Sequence, residues 1–84
     1  MIVVRLPSML QERGRPAELT LDLRLRTIAE VVAELDARYP GFAREIDDSI
    51  FNFAVNDEIV LSQARERALQ SGDVVEIIPM ISGG

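Results

Sequence analysis

A single run of helical period lies between runs that alternate every second residue, and this order leaves an 84-residue chain few ways to fold. The helical run is Thr27 to Gly41. Its apolar residues Ile28, Val31, Val32, Leu35 and Tyr39 recur at the spacing that lines up one face of a helix. Thr27-Ile28-Ala29-Glu30 has the spacing of a capping box, so the helix starts there. Pro40-Gly41 ends it, because proline cannot continue the hydrogen-bond ladder. One helix face must be buried against something, and the flanking runs supply sheet.

The first run, Ile2-Val3-Val4-Arg5-Leu6, reads as a strand closed by Pro7, and Gln11 to Pro16 reads as a loop. In "AELTLDLRL", Leu19, Leu21, Leu23 and Leu25 alternate with polar residues, the mark of a strand with one wet face. "GFAREIDDS" fits either a short helical turn or a loop. Phe51, Phe53 and Val55 alternate again, Asn56-Asp57 supplies a tight turn, and Glu58 to Leu61 returns as a short strand. Gly72-Asp73 turns the chain into Val74 to Ile78, an apolar run suited to a central strand buried on both faces. The expected fold class is therefore α+β: a mixed sheet of four to five strands with one main helix packed across one face. Residues 1–78 form the domain and 79–84 an extended tail, since the residue before a proline is pushed to extended geometry and Pro79 lacks a ladder amide.

Composition narrows the function by exclusion. The chain has no cysteine and no histidine, which removes disulfides, zinc-thiolate sites, cysteine nucleophiles and any Ser-His pair. A net charge of −5 is the wrong sign for holding a phosphate backbone, so nucleic acid is not expected as a partner. The opening residues lack the apolar length of a membrane span and the cleavage site of a signal peptide, which gives a cytoplasmic expectation. Glu45, Asp47 and Asp48 lack calcium-loop spacing and read as a solvated acidic patch, with no metal expected. Phe51 and Phe53 read as core, and Phe42 as the aromatic residue with partial exposure. All nine basic residues are arginine; codon bias is the plain explanation, and no side-chain amine exists for joining copies to one another.

The remaining feature is the ending, "PMISGG". Met80 and Ile81 are apolar beyond the end of the last strand, where either the body or a partner must cover them. Gly83-Gly84 follows, and residues without Cβ let the backbone approach a reacting group closely. A carboxylate is a poor electrophile until a leaving group is installed, and this chain has no group to install one.

The order of "VND", then "GD", then an apolar strand, proline and terminal Gly-Gly resembles the ubiquitin-like sulfur carriers of the MoaD and ThiS type, which have the β-grasp fold. The resemblance runs over nearly the whole chain and is most like the small subunit of molybdopterin synthase. It implies that an E1-like enzyme, using ATP, adenylates the carboxylate of Gly84, which becomes a thiocarboxylate. It also implies that Pro79, Met80, Ile81, Ser82 and Gly83 enter the active site of a larger MoaE-like subunit, where the sulfur reaches the molybdopterin precursor. The chain is then a protein cosubstrate with no catalytic residue and no bound cofactor of its own. Carriers for cysteine or thiamine biosynthesis share the pattern, as does a protein modifier joined to targets through Gly84. A binding module with an incidental tail is the remaining class.

Overall fold

The computed structural model describes residues 1–12, 14–22, 26–48 and 51–80. Five strands, β1 (Ile2–Arg5), β2 (Glu18–Leu21), β3 (Phe51–Val55), β4 (Glu58–Ile59) and β5 (Val74–Pro79), form one mixed sheet in the order β2-β1-β5-β3-β4. The helices are α1 (Ile28–Arg38) and the short α2 (Phe42–Asp48), with 3-10 turns at Ser8–Leu10 and Ala64–Glu66. This is the mixed sheet crossed by one main helix that the alternating and helical runs predict. The strand over Leu19 and Leu21 forms, while Leu23 and Leu25 lie outside the described residues.

The helix starts as its capping residues require. The Thr27 hydroxyl accepts from the Glu30 amide at 3.2 Å, and the Glu30 carboxylate reaches back to accept from the Arg26 amide at 3.0 Å. Ile28, Val31, Val32 and Leu35 then face inward and are buried, against Ile2, Val4, Val75, Ile77, Phe53 and Val55 of the sheet's inner face. Each such side chain, fully buried, contributes about 1.5–3 kcal/mol from apolar area removed from water.

Four expectations change. Phe42 is fully buried and not partly exposed, because α2 begins at that residue and turns its ring inward. β5 is not buried on both faces: Val75 and Ile77 sit under the helices, but Val74, Glu76 and Ile78 are half-buried on the open face. The strand also keeps Pro79, which stands opposite Phe51; a proline is tolerated at a strand end, where no further amide is needed. Last, Glu45 is not simply solvated.

Glu45 holds the one buried charged residue among those described, Arg15, which is only 5% exposed. The Arg15 guanidinium makes a two-pronged pair with the Glu45 carboxylate and also donates to the Leu10 carbonyl at 3.4 Å. It lies 5.2 Å from the Phe42 ring centroid and 5.9 Å from that of Tyr39. The loop that separates β1 from β2 is thereby fastened to α2. Hydrogen bonding to Glu45 raises the Arg15 pKa, so the guanidinium stays charged.

A second polar junction joins the two short motifs of the sequence. Asn56 and Asp57 have φ of 51° and 72°, the left-handed turn that asparagine and aspartate tolerate between β3 and β4. The Asn56 side chain accepts from the Val74 amide and donates to Asp73 Oδ1, each at 2.9 Å. Asp73 Oδ2 accepts from the Gln70 amide at 2.8 Å. The "VND" and "GD" segments thus meet and set where β5 begins.

Two outcomes follow from these junctions. Arg15→Ala should lower unfolding free energy by about 2 kcal/mol, less than for a fully buried pair because Glu45 keeps contact with water. Urea titration of Arg15→Ala, Glu45→Ala and the double variant should give non-additive losses; additive losses would show that the pair contributes no coupling. The bonds from Gln70 and Asn56 hold the Asp73 carboxyl below its usual range. Its contribution is therefore full above the unfolded-state carboxylate pKa and is lost as pH falls through the lower native one. Thermal melts from pH 6 down to pH 2 should show a smaller acid loss for Asp73→Asn than for the natural chain.

Candidate functional site

The region that matters is the outgoing end of β5, where the chain leaves the middle of the sheet. β1 pairs with β5 in parallel over Val3↔Val74, Val4↔Val75 and Arg5↔Glu76. β3 pairs antiparallel on the other side, from Val55↔Val75 to Phe51↔Pro79. β5 is therefore gripped on both edges up to Glu76 and on one edge through Pro79. Met80, the next residue, is half exposed. A strand held this way delivers the following chain from a fixed point.

Two depressions flank that point. On the β1 side, Arg5, Leu6 and Pro7 face Glu76, Ile77, Ile78 and Pro79 across a cleft of about 240 Å3. On the β3 side, an open groove of about 670 Å3 has Ile46, Phe51, Phe53 and Val60 in its wall and Leu61 and Arg65 among its rim residues. Phe53 is buried and Phe51 half-buried, so the aromatic pair is core and groove wall together. Arg65 lies 5.9 Å from the Phe53 ring centroid and donates to Asp47 at 2.7 Å. Ile59 and Leu61 stand outward on the same side, Leu61 91% exposed.

Around Arg5 the charges alternate across neighbouring strands. Its Nε donates to Glu18 Oε1 at 3.0 Å, and Glu76 stands opposite on β5. The hydrogen bond that Arg5 donates to Glu18, reinforced by the charges of Glu18, Glu76 and Asp57, raises the arginine's pKa. No group of three or more acidic, histidine or cysteine side chains that could hold a metal ion is found among the described residues. No helix among them is long and apolar enough to cross a membrane.

Of the residues expected at the site, Pro79 closes β5 and Met80 follows it. Ile81, Ser82, Gly83 and Gly84 lie outside the described residues. Two features were not legible beforehand. The Arg15 clamp has no local signal, since a lone arginine in a polar loop looks solvated. The Asn56–Asp73 junction reads in the sequence as two separate turns; only the fold brings them together.

Comparison with known proteins fits this geometry. The sequence model of the ThiS family matches residues 4–84. A search of curated proteins finds no match. Among solved structures, CysO of Mycobacterium tuberculosis is similar at TM-score 0.83 and 26% identity, over 96% of this chain and 100% of that one. A chain of the Amycolatopsis orientalis BexX/CysO complex is similar at TM-score 0.80 and 24% identity, over the whole of both. The small archaeal modifier protein 1 of Methanosarcina acetivorans is similar at TM-score 0.78 and 24% identity, over 99% of this chain and 95% of that one. The last two likenesses carry fold alone, and that fold is the ubiquitin-like β-grasp. With its sheet order, its central last strand and a family match that runs through residue 84, the chain belongs to the ThiS family of small, non-catalytic, ubiquitin-like sulfur carriers.

Proposed function

We propose that this chain carries sulfur on the carboxylate of Gly84. In an E1-like partner enzyme, the carboxylate oxygen attacks the α-phosphate of ATP and pyrophosphate leaves. A sulfide-equivalent donor then attacks the acyl carbon, AMP leaves, and the thiocarboxylate remains. The body supplies binding energy remote from the reacting carbonyl, and the narrow Gly83-Gly84 segment lets the partner's groups close around it. The observation that carries this reading is the family match through residue 84 on a strand that exits at Pro79 and half-exposed Met80. The absence of histidine and cysteine supports a cosubstrate and not an enzyme.

The acceptor is read as the molybdopterin precursor on a MoaE-like subunit that takes in residues 79–84, in the cytoplasm. The likeness to CysO of Mycobacterium tuberculosis favours a second reading in which a different catalytic partner receives the sulfur, as in cysteine or thiamine biosynthesis. Intact-mass measurement of the protein from its native cells tests the shared claim. The expected species is heavier than the carboxylate form by exchange of one oxygen for one sulfur. Carboxylate alone, together with Gly84 joined by isopeptide bonds to lysines of other proteins, would replace the carrier by a modifier. Deleting the gene separates the acceptors: loss of molybdenum-enzyme activity supports the first, and a cysteine or thiamine requirement supports the second.

A further inference from the structure

β3 is longer than the strand beside it. β4 has two residues against five in β3, and the final bond across this edge, among the described residues, runs from the Val60 amide to the Phe53 carbonyl at 2.8 Å. Every second residue of an antiparallel strand turns its main-chain groups to the same neighbour, so Phe51 faces the way Phe53 does. On that side the Phe51 amide and carbonyl meet no main-chain partner among the described residues. The chain has turned away there: Gln63 has φ of 51°, a left-handed conformation unfavourable for a residue with a Cβ, and leads into the 3-10 turn at Ala64–Glu66. Unpaired strand groups of this kind are a template for another extended segment. The space beside them is the open groove of about 670 Å3, with an apolar wall of Ile46, Phe53 and Val60. Two charged residues line it, Arg65 and Glu66. Arg65 lies over the Phe53 ring and donates to Asp47 at 2.7 Å, so its charge is met. Glu66 is exposed and makes no ion pair among the described residues. The charge left at the groove for a partner to match is therefore negative, as is the net charge of −5.

We propose that this groove docks an extended, basic peptide segment of a protein partner, added as a strand along the free edge of β3 at Phe51. The segment's main chain bonds to both the amide and the carbonyl of Phe51. One of its apolar side chains packs on Phe53 and Val60, and a lysine or arginine reaches Glu66. Main-chain bonds supply affinity, and the side-chain contacts select the sequence. The groove lies on the outer side of β3, whereas β5 with Pro79 lies on the inner side. A segment bound there is one strand removed from β5, and the inference does not depend on the reading of Gly84.

The test titrates the isotope-labelled full chain with the synthetic peptide acetyl-KVKFKV-amide and follows backbone amide shifts by NMR. Saturable shifts centred on Phe51, Phe53, Val60 and Glu66 are expected. The acidic peptide acetyl-EVEFEV-amide should bind about tenfold more weakly, because its charges oppose Glu66. Two further KVKFKV peptides carry methyl groups on alternate amide nitrogens, one set each. Only the peptide whose methyl groups face β3 should lose affinity, about tenfold, since it can no longer donate to Phe51. Glu66→Lys changes an exposed side chain and should reverse the order of the acidic and basic peptides. No saturation at millimolar peptide, shifts centred away from the groove, equal binding of the acidic and basic peptides, or equal binding of both methylated peptides would overturn the proposal. So would sedimentation showing a dimer of the unliganded chain that the peptide displaces, because a second copy would then be the occupant.

Discussion

The pairing of β5 with a strand on each side is the constraint on which the rest depends. The last strand in the sequence is the middle strand of the sheet, so the inner face is complete only when the end of the chain is in place. Val75 and Ile77 of that strand are buried among core residues that include Val4, Phe53 and α1's Leu35. Folding must close long loops before these contacts form, which places much of the entropic cost before the stabilising contacts. The same arrangement brings the chain out of the sheet at Pro79 and half-exposed Met80, from a strand paired on both edges up to Glu76. A segment anchored there starts from a fixed position without needing side-chain chemistry of its own.

Support for that strand comes from both ends of the molecule. Asn56 and Asp73 set where β5 begins, through bonds that need an asparagine amide on one side and a carboxylate on the other. Arg15, Glu45 and the rings of Phe42 and Tyr39 hold the β1–β2 connection against α2. The first junction fixes register and the second fixes the position of a loop. Both are polar, and both are satisfied; no buried side-chain polar atom among the described residues lacks a partner.

Much of this was legible in residue pattern because the signals were local. The capping box at Thr27 and Glu30, the helical period through Leu35, and the Asn56-Asp57 turn each depend on neighbours within a few positions. What escaped depends on residues far apart in the chain. Phe42 joins the core with Arg15 stacked on its ring, and nothing near either residue announces a partner 27 positions away. Glu45 looked solvated for the same reason. The open face of β5 was read as buried because an apolar run does not say whether one or two layers cover it. At the site itself, the ending "PMISGG" points to the terminal carboxylate through resemblance, whereas Arg5 between Glu18 and Glu76 becomes visible only once the strands are side by side.

On the proposed function, the carboxylate of Gly84 is the group on which a partner enzyme acts. Pyrophosphate exchange into ATP, measured with the activating enzyme from the same cells, reads the step directly. The natural chain should support exchange, and a chain lacking Gly83 and Gly84 but identical in its folded-state spectrum should support none. Undiminished exchange with the shortened chain would contradict the account, because the carboxylate of Gly84 would then not be the group that is activated.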